Sequence, residues 1–169
     1  MYYKKNGSFE LKAYIDVDWA GSLDDTKSNS GGAFFLGSRL VSWTSKKQNY
    51  ISWSTIEAEY VATAVNCSNV VWLKQLLKGM KEDITEPIII YCDNTSSINI
   101  SKNRVMHTKT KHISIKYHYL RELVQDKIVR MEYVNTKEKL ANIFTKALPR
   151  ESHEYLRSQL GVLTLSKAT

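Results

Sequence analysis

Residues 13–32, AYIDVDWAGSLDDTKSNSGG, pass from a strand pattern into a polar turn and place carboxylates at the change. Leu11, Ala13, Ile15 and Val17 alternate with Lys12, Tyr14, Asp16 and Asp18. That is the period of two expected where successive side chains point to opposite faces of a strand. Asp16 and Asp18 therefore share a face. A carboxylate near the end of an otherwise apolar strand is poorly solvated, so it requires a cation or a set of hydrogen-bond donors. The plainer reading is an Asp that shapes the turn, and both readings stand at this point.

Outward from this stretch, residues 21–32 read as a polar turn, and residues 33–36 and 40–44 as two further strands joined at Gly37 and Ser38. Three consecutive strands predict an antiparallel meander. Lys46 to Gln48 read as a basic loop, and Tyr50 to Trp53 as a continuation of the pairing. A long helix is expected from Ser54 or Thr55, where a hydroxyl can cap the first free amides. Ala58, Val61, Ala62, Val65, Trp72, Leu73, Leu76 and Met80 recur at three- and four-residue spacing and predict its packed face. Glu57 and Glu59 both lie near its start, where the helix dipole favours negative charge. Glu59, next to Ala58 on the apolar side, is the candidate for a partly buried carboxylate.

Residues 88–92, IIIYC, have the composition of a fully buried strand and end in Asp93 and Asn94. Residues 94–100 read as a short helix, which puts Asp93 at a strand-to-helix junction, where open α/β sheets carry their sites. Ile113, Tyr117, Leu120 and Val124 mark an amphipathic helix. Residues 128–134 form a last strand, residues 137–146 a helix carrying Leu140, Ile143 and Phe144, and residues 151–160 a further helix beyond Pro149.

The net charge of +7 is unevenly placed. Between Asp93 and Glu122 there is no acidic residue, while Lys102, Arg104, Lys109, Lys111, Lys116 and Arg121 fall in that interval with His107, His112 and His118. Such a segment attracts polyanions such as nucleic acid, or is simply a solvated face of a basic protein. With 43% hydrophobic residues, the chain reads as one domain, residues 11–160, between a lead-in (1–10) and a polar tail (161–169). Its apolar runs are far shorter than the roughly 20 residues that span a bilayer, and a signal-peptide core is absent, so no membrane partner is expected. Cys67 and Cys92 suit a reducing compartment and read as packing residues. His107 and His112 lack further ligands at zinc spacing.

Asp16, Glu59 and Asp93 are three carboxylates on three elements that one sheet could bring together. Like charges so gathered stay ionised if a multivalent cation sits among them, and hard oxygen ligands select Mg²⁺ or Mn²⁺. A carboxylate-held metal pair beside a basic groove suits phosphodiester hydrolysis. No nucleophilic Ser or Cys arrangement has comparable support.

Six ordered blocks carry a resemblance: AYIDVDWAGSLDDTKSNSGGAFFLG, LVSWTSKKQ, STIEAEYVA, IYCDNTSSI, HTKTKHISIKYHYLRE and EYVNTKEKLANIFTKALP. Together they closely resemble the ribonuclease H domain of copia-type LTR retrotransposon polyproteins, from Phe9 to about Leu160. The resemblance implies an α/β ribonuclease H-like fold: a five-stranded mixed sheet, three antiparallel strands then two parallel ones, with helices on both faces. It implies cleavage of the RNA strand of RNA/DNA hybrids with two Mg²⁺ ions, Mn²⁺ substituting. A reverse transcriptase polymerase domain in the same polyprotein is the implied partner, and a virus-like particle or the nucleus the implied intracellular setting.

Residue by residue, the resemblance makes Asp16, Glu59 and Asp93 the first three catalytic, metal-holding carboxylates, with Asp18 in reserve for the first. The fourth carboxylate falls at Asn142, where the chain departs from the family, as it also does at Gly32, Ile56 and Ala147. Ser54, Thr55 and Asn94, beside the carboxylates, are candidate substrate contacts, though each is equally a cap or turn residue. Lys109, Lys111 and His112 are candidate phosphate contacts. Two rival functions follow: a weakened or inactive nucleic-acid-binding relic, because of Asn142, and another metal nuclease on the same fold that prefers duplex DNA.

Overall fold

The computed structural model describes residues 10–102 and 111–162, and of residues 111–117 the backbone alone. β1 (Leu11–Asp18), β2 (Asn29–Leu36) and β3 (Arg39–Lys47) form the antiparallel meander. β4 (Ile88–Cys92) joins β1 in parallel, and β5 (Val129–Tyr133) joins β4 in parallel. The spatial order is β3-β2-β1-β4-β5, the mixed five-stranded sheet expected from the sequence. β1 is central, and its two faces are both covered. Leu11, Ala13, Ile15 and Val17 pack with Ala58, Ala62 and Val70 of α1 (Thr55–Gly79) and with Leu120 and Leu123 of α3 (Lys111–Gln125). On the opposite face Ala33, Phe35 and Leu40 pack with Tyr14, Leu140, Phe144 and Leu160, the last just beyond α4 (Arg150–Gln159). α2 (Thr95–Lys102) follows β4 directly.

Several elements differ from the sequence reading. β2 begins at Asn29 and β3 runs on through Lys46 and Lys47, so the expected basic loop is the end of a strand. Tyr50 to Trp53 do not extend the pairing but form a loop. Its anchor is the buried Gln48, whose Nε2 donates to Ser30 Oγ (2.9 Å) and the Ala58 carbonyl (3.0 Å), while Ser52 Oγ donates to Gln48 Oε1 (3.0 Å).

The packed face of α1 is also rotated from the one predicted. Ala58 through Ala64 are all buried, so the helix is enclosed on every side there, whereas further along Asn66, Cys67, Val70, Leu73 and Leu77 face inward. Val65, Trp72, Leu76 and Met80 form a second apolar stripe at helical spacing, and it is exposed. Two stripes on one helix cannot be ranked by periodicity alone.

The expected helix over 137–146 is instead two short 3₁₀ turns, Thr136–Glu138 and Leu140–Phe144, broken at Lys139. Lys139 is extended (φ −76°, ψ 93°). The break turns its side chain inward while Leu140, Ile143 and Phe144 cover the second face of the sheet.

Candidate active site

Because β1 and β4 are adjacent and parallel, their C-terminal ends reach the same edge of the sheet, and α1 starts beside them. Asp16 lies near the end of β1, Asp93 directly after β4, and Glu59 early in α1. One carboxylate oxygen from each lies within 4.8 Å of the other two. Asp16 and Glu59 are buried, at 2% and 5% exposure, and Asp93 is half-buried. Asp18 stays outside this group.

The ammonium of Lys139 occupies the middle of the cluster. Its Nζ is 2.7 Å from Asp16 Oδ1, 3.1 Å from Glu59 Oε1 and 2.5 Å from Asp93 Oδ1, and the residue is fully buried. The other oxygens have different partners. Thr145 Oγ1 donates to Asp16 Oδ2, with Lys146 Nζ at 3.4 Å from the same oxygen, and Thr136 Oγ1 donates to Asp93 Oδ2 (2.8 Å). Glu59 Oε2 is buried without a partner among the described residues.

This arrangement biases protonation. Burial pushes the Glu59 carboxyl up to about 7, with Asp16 and Asp93 acting in the same sense and Lys139 against them. Burial also works against ionised Asp93, but the Lys139 hydrogen bond and charge, with Thr136, outweigh it and hold that carboxyl below its usual value. Burial disfavours the Lys139 ammonium, yet Glu59 and Asp16 more than compensate and raise its pKa.

Asn142 is buried beside the cluster rather than bonded to it. Its Nδ2 donates to the Thr136 carbonyl (2.8 Å), and its Oδ1 has no partner among the described residues. Ser54 caps α1, its Oγ accepting from the Glu57 amide (3.2 Å), and Glu57 Oε2 accepts in return from the Trp53 amide (2.8 Å). Asn94 caps α2, its Oδ1 accepting from the Ser97 amide (3.0 Å). Thr55 is exposed at the first turn of α1. Lys109 lies outside the described residues, as do His107 and the side chains of Lys111 and His112.

Sequence reasoning missed Lys139, Thr136, Thr145 and Lys146. A lysine in a 3.6-period pattern reads as a surface residue, and no neighbour of Lys139 in the chain signals that it turns inward. Gly32 has a local explanation: a Cβ there would lie 2.4 Å from Asn66 Oδ1 and 2.8 Å from Thr44 Oγ1, a pair joined by a 2.6 Å hydrogen bond. Cys67 and Cys92 are free and buried, and burial raises both thiol pKa values, that of Cys92 to about 11.

Three carboxylates with one buried oxygen unpartnered among the described residues form an oxygen-only donor set compatible with a hard divalent metal ion. Among the described residues no helix is long and apolar enough to cross a membrane.

No family model matches the chain. The chain is 39% identical over 162 residues to the retrovirus-related Pol polyprotein from transposon RE1 of Arabidopsis thaliana, and the match covers 96% of the chain. It is 38% identical over 152 residues, 90% of the chain, to that from transposon TNT 1-94 of Nicotiana tabacum. It spans only 11% of the length of each of these relatives.

Among solved structures, the N-terminal RNase H domain of a Mycobacterium tuberculosis protein superimposes with a TM-score of 0.57 at 11% identity, covering 89% of this chain and 98% of that one. LC11-RNase H1 in complex with RNA/DNA hybrid gives 0.56 at 10% identity, covering 80% and 94%. The foamy viral protease-reverse transcriptase in complex with RNA/DNA hybrid gives 0.57 at 13% identity, covering 82% and 20%. At such identities the likeness concerns the fold, while the relationship in sequence is to the transposon proteins. The chain is thus a homologue of a segment of the Pol polyproteins of copia-type retrotransposons, and it has the ribonuclease H fold.

Proposed function

We infer that the protein is a metal-dependent endonuclease that hydrolyses the RNA strand of RNA/DNA hybrids during reverse transcription. The observation that carries this reading is the convergence of Asp16, Glu59 and Asp93 at one sheet edge with an oxygen-only donor set. It is supported by the fold held in common with proteins solved on RNA/DNA hybrid. Asp16, Glu59 and Asp93 would hold two Mg²⁺ ions, or Mn²⁺ in their place. Bound there, such ions supply an activated water and stabilise the leaving 3′ oxygen.

The chain's own residues set the geometry around that chemistry. Thr145 and Thr136 each hold one oxygen of Asp16 and Asp93, fixing the carboxylate planes. Ser54 and Asn94 use their oxygens as caps. Among the described residues that leaves the Ser54 hydroxyl proton and the Asn94 amide protons without an acceptor, available to meet a ribose 2′-hydroxyl, the group by which RNA is told from DNA. Thr55 is exposed beside them. Lys109, Lys111 and His112 complete the proposal as phosphate contacts. By its likeness to Pol polyproteins, we assign it to a polyprotein whose polymerase domain makes the hybrid, working inside the cell in a virus-like particle or the nucleus.

One observation favours a second reading, a binding module with weakened or no catalysis: Lys139 fills the cluster, and Asn142 brings no charge. The two are separated by incubating the protein with a strand-labelled RNA/DNA hybrid in Mg²⁺ and in Mn²⁺. RNA fragments support the nuclease. Binding without fragments in either ion supports the relic, and preferential cutting of duplex DNA supports a different nuclease on this fold.

A further inference from the structure

The three carboxylates already have a cation. Lys139 Nζ makes contacts of 2.5–3.1 Å with one oxygen of each, from a side chain with no exposure to solvent. A divalent ion held by those same oxygens would sit about 2.0–2.6 Å from each, depending on the ion. The ammonium and the ion therefore claim one position.

The charges agree with that count. Fully ionised, the three carboxylates would carry −3, and Lys139 offsets one unit at their centre. Lys146 offsets a second from the rim, 3.4 Å from Asp16 Oδ2 and one-third exposed. An uncompensated group of this kind inside a protein is strongly destabilising. The cluster can therefore be buried in the ion-free protein because Lys139 is there. Lys139 is the single extended residue between two short 3₁₀ helices. Its backbone is tied to both, its amide donating to the Thr136 carbonyl (3.4 Å) and its carbonyl accepting from the Asn142 amide (3.1 Å), so the exchange is one of side-chain torsions, which withdraw the ammonium without unwinding either turn.

We propose that Lys139 is a built-in counter-ion in the metal seat, and that divalent-ion binding is an exchange in which the ammonium swings out of the carboxylate cluster as the ion enters. The inference rests on the metal-dependent reading above and adds a residue that sets how much free ion the site requires. Lys139 is a positioning residue: it preserves the carboxylate geometry before the ion arrives and raises the ion concentration at which the site loads.

Two measurements test it. First, Mn²⁺ binding to the wild type, Lys139→Met and Lys139→Gln is followed by calorimetry and by the electron paramagnetic resonance signal of free Mn²⁺. The variants should bind Mn²⁺ at least about tenfold more tightly, since the ion no longer displaces a bonded cation. They should also melt at a lower temperature without the ion and recover on its addition. Second, the wild type is treated with an amine-reactive reagent, with and without saturating Mg²⁺, and Lys139 modification is read by peptide mass spectrometry. Lys139 should be protected without Mg²⁺ and modified with it. This arm decides the matter if neither variant folds even with Mn²⁺.

Equal Mn²⁺ affinity in wild type and variants, or Lys139 reactivity indifferent to Mg²⁺, overturns the exchange and leaves metal-dependent cleavage standing. Failure of wild type and folded variants alike to bind Mn²⁺ removes the metal reading itself, and the exchange with it.

Discussion

Gly31 stands directly opposite Asp16 in the β1–β2 ladder, and a Cβ on it would lie 2.6 Å from Thr145 Cγ2 and 3.1 Å from the Ala141 carbonyl oxygen. The missing side chain lets the 140–144 turn approach the sheet closely enough for Thr145 to bond Asp16. The contacts at Gly31 are therefore part of how the site is assembled.

Gly31→Ala should push this turn away and disturb the Thr145–Asp16 bond. A backbone carbonyl cannot yield as a flexible side chain can, so the overpacking cost should be about 1–3 kcal/mol. Urea denaturation checks it. An unchanged midpoint, with unchanged Mn²⁺ affinity, would mean that the turn can move at no cost.

Asn142→Asp has two opposed effects. The amide proton donated to the Thr136 carbonyl would be replaced by an oxygen facing an oxygen, costing about 1–3 kcal/mol in the ion-free protein. The added charge should raise divalent-ion affinity and lower the Mg²⁺ needed for half-maximal cleavage. Thermal melts in chelator and a Mg²⁺ titration of cleavage read the two effects separately. If both stay at wild-type values, Asn142 does not belong to the site.

The ion-free protein should show an inverted pH dependence from Glu59. Its carboxyl is raised from 4.5 to about 7, so the folded state holds this proton more tightly than the unfolded chain does. Its contribution to stability is therefore present at low pH and is lost as the pH rises from about 4.5 through about 7. Asp93, whose value is lowered, acts oppositely: its contribution is present above 3.8 and is lost as the pH falls through the folded value. The gap in melting temperature between wild type and Glu59→Gln, followed in chelator, should shift in favour of the wild type on acidification from pH 8 to 5. A gap that is constant over this range contradicts the assignment.

Replacing Lys109 and Lys111 together by Ala should weaken hybrid binding and make it less sensitive to salt, the slope falling by about 0.9 for each duplex phosphate that is no longer neutralised. Fluorescence anisotropy at several salt concentrations measures this. An unchanged slope would place the hybrid on another surface.

Much of this molecule was legible in the chain because its signals were local. Alternation in residues 11–18 marked β1 and put Asp16 near its end, IIIYC marked β4 and put Asp93 after it, and Ser54 marked the start of α1. Those three markers brought the carboxylates together before any distance was known. Lys139 was not legible, since its role depends on a backbone break and on partners as distant in sequence as Asp16. The face of α1 was misread for a related reason. Val65, Trp72, Leu76 and Met80 have helical spacing, but the sheet and α3 meet the other stripe, and that choice is tertiary.

The most direct test is cleavage of a hybrid carrying distinguishable labels on its RNA and DNA strands, with the wild type and Asp93→Asn compared in Mg²⁺ and Mn²⁺ and hybrid binding measured in parallel. The wild type should fragment the RNA strand and leave the DNA intact. Asp93→Asn should bind the hybrid nearly as well yet lose roughly 10²–10³-fold or more in rate, because a carboxylate in the proposed metal-holding role would act on the transition state rather than on binding. Fragmentation that persists at the wild-type rate in Asp93→Asn, or an RNA strand left whole by the wild type in both ions, would contradict a metal-dependent nuclease built on Asp16, Glu59 and Asp93.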